Sequence, residues 1–258
     1  MMFQRSVATI LILSTILLAS SVPVLAQAAQ RSPSDTVREF YKAMRARKFR
    51  EAFAMSIYRP AVDGLRPAEF DDLRSDFDRM AAAIPDQVQL SGEQISGDSA
   101  TVFVKVKDAE SGAQPEPIAL IRVNGQWIIG DRENQTIVER AGKDFFFNAR
   151  IDTHHSEVQE LLKRIALAEL AYSQQHNGQF GDLPALISAG LMPKDLEGTE
   201  TTGYRFRIIV SPDRKSWSAA AEPAHYGRTG RLSFFMDASG VRSGDMAGKP
   251  LTLARQNP

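Results

Sequence analysis

From Ser32 onward the apolar positions recur first with a helical period and then with a period of two. Ser32-Pro33-Ser34-Asp35 has the form of a helix start: a hydroxyl cap, proline in the first turn and an acid close behind. Val37, Phe40, Tyr41 and Met44 follow as one stripe, and Phe49, Ala52, Phe53 and Ile57 as a second. Pro67 opens a third, carrying Phe70, Leu73, Phe77, Met80 and Ala81, and Pro85 predicts its end. The pattern then alternates. Val88 and Leu90 begin a strand, Gly97-Asp98 marks a turn, and Val102, Val104 and Val106 share one face of the next strand. Ile118 to Val123 and Trp127 to Ile129 flank Asn124-Gly125, a two-residue hairpin signal. Three helices on a curved antiparallel meander, over residues 32–132, predict an α+β fold.

A polar stretch, residues 133–150, follows and reads as a linker. It contains Phe145-Phe146-Phe147, which predicts either a wedge packed between two domains or a contact surface for a partner or a membrane. A second domain is expected over 151–245. Its long helix carries Ile151, Val158, Leu161, Leu162, Ile165, Ala168 and Tyr172 and stops at Asn177-Gly178. A short helix from Asp182 to Ala189 precedes strands at 204–210, 216–221, 232–237 and 241–243, with a tail over 246–258.

Residues 1–26 read as an export signal: Arg5, an apolar core from Val7 to Leu18, the breakers Ser20, Ser21 and Pro23, and Val24-Leu25-Ala26 before Gln27. The rival reading is an uncleaved anchor, since Val7 to Ala26 is just long enough to span a bilayer. The expected location is the periplasm or cell envelope, with membrane attachment only if this segment stays uncleaved.

Phe40-Tyr41-Lys42-Ala43-Met44 followed by Phe49-Arg50-Glu51-Ala52-Phe53 resembles the opening of NTF2-like domains. The closing pair, Ile118 to Val123 and then Asn124-Gly125-Gln126-Trp127-Ile128-Ile129, is similar too. The resemblance implies a cone whose mouth binds a small apolar ligand, or performs acid–base chemistry where polar residues line it. Ala168-Glu169-Leu170-Ala171-Tyr172, Asn177-Gly178-Gln179-Phe180, Leu183 and Leu186 resemble the globular part of type IV pilin-like proteins and pseudopilins. That resemblance implies a long helix packed on a small antiparallel sheet. Unlike a pilin leader helix, the apolar segment 7–18 holds no acidic residue and lies far upstream of the pilin-like helix.

Composition narrows the chemistry. With 31 basic and 31 acidic residues the chain carries no electrostatic footprint for nucleic acid. The absence of cysteine excludes disulfides, thiolate metal sites, cysteine nucleophiles and a lipobox anchor. The four histidines all lie in the second half. His154-His155, being adjacent, lack the spacing of a helical metal pair and read as solvated residues at a helix start. His176 suits a helix end, and His225 a loop. Asp71, Asp72, Asp76 and Asp78, interleaved with Arg74 and Arg79, read as a solvated salt-bridged face. In the first half Tyr41, Tyr58 and Trp127 are the candidate pocket-lining residues, and Asp131 is the remaining candidate base. No catalytic, cofactor or metal constellation is found. The expected function is that of an exported, non-enzymatic envelope protein with two binding modules, its partner an envelope protein or a small apolar ligand. The alternatives are an accessory part of a pilus or type II secretion-like machine, and an enzyme using the NTF2-like pocket.

Overall fold

Ser32 opens α1 (Pro33–Arg45) as expected, its hydroxyl accepting from the Asp35 amide at 3.1 Å. The structure, a computed structural model, describes residues 31–84, 88–106, 115–198 and 202–251. The expected export segment 1–26, the helix stop at Pro85 and residues 252–258 of the expected tail lie outside the described residues. The chain clusters into Met1–Gln30 and Arg31–Pro258, and all described residues belong to the second unit.

Four more short helices follow α1: α2 (Phe49–Phe53), α3 (Arg59–Asp63), α4 (Pro67–Asp72) and α5 (Arg74–Ala82). The expected three helices are therefore five. Pro60 starts an extra turn in α3. Leu73, with ψ near zero, ends α4 and starts α5, so the single apolar stripe after Pro67 is folded over two axes. Strands β1 (Val88–Ser96), β2 (Ser99–Val106), β3 (Glu116–Val123) and β4 (Gln126–Ile129) form an antiparallel meander in that order. Asn124 and Gly125 both take positive φ, 49° and 79°, as a type I′ turn requires. The outer edge of β4 is covered, because Ile129 exchanges backbone hydrogen bonds with Met55 and Ile57.

The stretch expected as a linker is helical. Asp131 caps α6 (Arg132–Ala141), one 3-10 turn follows, and α7 runs from Phe145 to Gln175. The phenylalanines explain why α7 begins there rather than near Ile151. Phe146 and Phe147 are buried in the first core, and Phe145 lies tilted against Tyr58, ring centroids 5.3 Å apart. Burying an aromatic side chain is worth about 1.5–3 kcal/mol, which offsets the cost of ordering about one or two residues of backbone.

The rest of α7 belongs to a second core. Val158, Leu161, Leu162 and Ile165 pack with Tyr204, Ala219, Ala221 and Phe234. The sheet beneath is β5 (Tyr204–Val210), β6 (Trp217–Pro223), β7 (Leu232–Asp237) and β8 (Gly240–Asp245), antiparallel in that order. Asp182 caps α8 (Leu183–Ser188), accepting from the Ala185 amide. The fold is α+β: one long helix shared by two lobes, each with its own antiparallel sheet. Among the described residues no helix is long and apolar enough to cross a membrane.

Candidate functional site

The expected pocket residues fall in two places. Tyr41 projects from α1 onto the first sheet, in an apolar layer with Val37, Val102, Leu120 and Trp127. Arg122, opposite Trp127 in the β3–β4 register, holds its guanidinium 4.4 Å from the indole ring. Arg122 Nε is buried with no partner. Burial, helped by the Glu116 carboxylate, pushes the Tyr41 phenol above its ordinary range. Tyr58 lies elsewhere, in the larger helical core beside Phe53, Phe145 and Phe146. Burial, and then Asp131, raise its pKa as well. Asp131 itself caps α6. Its carboxylate accepts from the backbone amide and side-chain amide of Asn134, at 2.8 and 2.7 Å, and these bonds hold its pKa below the ordinary value. A general base needs the opposite shift.

The strongest charged constellation lies between the lobes, where the sequence pattern placed a solvated face. Arg150, on α7 and only 7% exposed at its side chain, spans two helices of the first lobe. Its Nη1 donates to Asp72 Oδ1 at 3.0 Å and its Nη2 to the Asp72 carbonyl at 2.7 Å, while Nε and Nη2 donate to Asp76 Oδ2 at 2.9 and 2.5 Å. Beside it Glu69, 5% exposed, collects three cations. Arg66 donates through its side chain (3.1 Å) and backbone amide (3.0 Å), Arg228 from the β6–β7 loop donates at 3.0 Å, and Lys143 stands at 3.7 Å. The Arg66 bonds, with that from Arg228, hold the Glu69 carboxyl far below the usual carboxylate range. Arg228 also holds its guanidinium over Phe147, 4.0 Å from the ring centroid. Asp71 and Arg74 are exposed, Asp78 pairs with Arg47 and Asp76 also makes a long contact to Arg79, so these residues keep the surface role expected for the acidic run.

The histidines differ from expectation too. Because α7 starts at Phe145, His154 and His155 sit well inside it rather than at its start, and both bind the β6–β7 loop. His154 Nδ1 donates to the Thr229 carbonyl at 2.8 Å, and His155 Nε2 accepts from the Arg231 and Leu232 amides, each at 3.2 Å. His176 follows the last turn of α7 as expected, its ring stacked on Tyr172 at 3.8 Å. Among the described residues no group of three or more His, Cys, Asp or Glu side chains is placed to hold a metal ion.

One further carboxyl was missed by sequence reasoning. Glu169 is fully buried on α7, where Oε2 accepts from the Gly181 amide at 3.0 Å and Oε1 has no partner. Burial pushes its pKa up to about 7. The available signal was its place between Ala168 and Tyr172 on the apolar side of the stripe.

No family model matches the chain, and no curated protein matches it. A solved structure from Campylobacter jejuni, named a putative NTF2-like transpeptidase, aligns with 40% of this chain and 100% of its own, at 14% identity and a TM-score of 0.28. A similarity that slight establishes neither fold family nor activity.

Proposed function

We propose that this is an exported, non-enzymatic envelope protein in which two interaction modules, an NTF2-like one and a pilin-like one, are presented at a set geometry. The observation that carries this reading is the use of the buried charges. Glu69, Arg150, Asp72 and Asp76 are all spent on joining the lobes, across α7 and the β6–β7 loop. A protein that holds two modules in register serves recognition of something that touches both. Asp131 acting as a helix cap, with its pKa lowered, supports a binding role for the first lobe over a catalytic one. In this reading a small apolar ligand would enter by parting the packed Tyr41–Trp127 layer.

The test is native mass spectrometry of the full chain recovered from its producing cells, alongside fractionation of those cells. The reading expects the protein in the envelope fraction, with a small apolar species that is lost in Tyr41→Ala and Trp127→Ala variants that still fold. Recovery in the cytoplasm, or a ligand-free wild type that turns over a substrate, would overturn it.

A second reading has its own observation. The later part of α7, from Val158, packed on a four-stranded antiparallel sheet supports the pilin-like resemblance, and with it an accessory place in a pilus or type II secretion-like machine. Specific co-purification with pseudopilins would favour it, and unchanged piliation and secretion on deletion would remove it.

A further inference from the structure

The β6–β7 loop, residues 224–231, reaches the first lobe through Arg228, whose Nη2 donates to Glu69 Oε1. The loop is closed on itself by the Arg228 and Thr229 amides donating to the His225 carbonyl and by Gly227 donating to Gly230. It is fastened to α7 by Arg231 donating to Asn148 Oδ1 and by the two histidines.

The two histidines make opposite demands on the proton. A carbonyl can only accept, so His154 binds Thr229 through an N–H at Nδ1, and a second proton on the ring leaves that bond in place. Two backbone amides can only donate, so His155 must present a bare Nε2 to Arg231 and Leu232. Protonation at Nε2 replaces a shared acceptor by a third donor facing two others. Both bonds are then lost together, at the point where the loop turns into β7.

We infer that His155 is a proton-released latch. Neutral, it holds the Arg231–Leu232 end of the 224–231 loop against α7; protonated, it lets that end go. The inference rests on the geometry of the loop and not on export or on any ligand.

The surroundings of the ring agree. Burial comes first in disfavouring the charged imidazole, Asp152 one turn earlier favours it, and His154 and the loop's own Arg231 oppose it, with a net lowering of the pKa from 6.5. The aromatic rings of Phe234 on β7 and Tyr204 on β5 flank it at 5.8 and 6.4 Å. The Tyr204 hydroxyl is itself engaged with the Leu232 carbonyl at 2.9 Å. His225 is exposed in the same loop.

The sign follows from linkage. The released loop frees His155 to take a proton at its ordinary pKa, while the latched ring resists. Opening therefore becomes easier as pH falls below about 6.5.

The experiment is amide hydrogen exchange by NMR on the full chain between about pH 5 and pH 8, corrected for intrinsic exchange. Protection of the Arg231 and Leu232 amides should fall as pH drops below that point. His155→Gln, whose carbonyl oxygen can accept but does not titrate, should flatten the profile. His154→Asn and His225→Gln should keep it. A wild type without the slope, or a slope that survives in His155→Gln, overturns the inference. The ring nitrogens of the wild type give a readout that needs no variant: Nε2 of His155 is unprotonated near pH 8, and a protonated Nε2 there would overturn the latch outright.

Discussion

Arg228 and Glu69 stand 159 positions apart in the sequence, yet Arg228 Nη2 donates to Glu69 Oε1 at 3.0 Å while its guanidinium covers Phe147. This contact ties the β6–β7 loop to the first lobe. Glu69 keeps Arg66 and Lys143 when Arg228 is removed, so Arg228→Met should loosen the lobes without unfolding either. A double-mutant cycle with Glu69→Gln, read by urea unfolding, should be non-additive. Additive losses would mean that the bridge does not form in solution.

Arg150 is the heavier clamp. Its side chain is buried and makes four hydrogen bonds to Asp72 and Asp76, which are themselves part-exposed. Arg150→Ala should cost about 2–3 kcal/mol, below the full figure for a buried pair because water reaches the two aspartates. Arg79→Ala, on the exposed side of α5, should stay within about 0.5 kcal/mol. Equal effects from the two would deny Arg150 its role.

Much of this architecture was legible locally, and the clamps were not. Ser32, Asp182 and Asn124-Gly125 act through residues two or three positions away, so a cap or a turn can be read directly from their spacing. Strands 204–210 and 232–237 were likewise bounded by their own pattern. Phe145-Phe146-Phe147 could be read as a wedge or as a contact surface; which core the rings enter depends on α2, α3 and α5, far back in the chain. Asp72, Asp76 and Arg150 look like ordinary surface charges until the fold brings them together. The same holds for His154 and His155, whose partners lie on a loop 75 to 77 positions away.

Glu169 should set part of the pH dependence of stability. Its carboxyl titrates at 4.5 when unperturbed and at about 7 in the folded protein. Between those values the folded chain holds a proton that the unfolded chain has lost, so stability falls as pH rises through this window and levels off above it. Glu169→Gln should therefore gain on the wild type as pH rises, by up to about 3 kcal/mol at about 1.4 kcal/mol per pKa unit. Urea unfolding across this range checks it; a difference that stays constant with pH would contradict it.

Gly230 leaves room for Tyr204. A Cβ at this position would overlap the ring and hydroxyl of Tyr204, which is wholly buried and cannot swing away. Gly230→Ala should cost about 1–3 kcal/mol, as overpacking does. Pairing it with Tyr204→Phe should relieve part of the loss, since the hydroxyl is the nearest atom. Thermal unfolding of the two variants decides, and an unaffected Gly230→Ala would mean that the loop sits away from β5.

The central claim is that two interaction modules are held at a set geometry, by α7, Arg150 and Arg228. The most direct measurement is ¹⁵N relaxation of the backbone amides in both sheets, β1–β4 and β5–β8, near neutral pH. The account predicts one overall tumbling time for the two sheets in the wild type, splitting into two in the Arg150→Ala, Arg228→Met double variant. Two separate tumbling times in the wild type would contradict it.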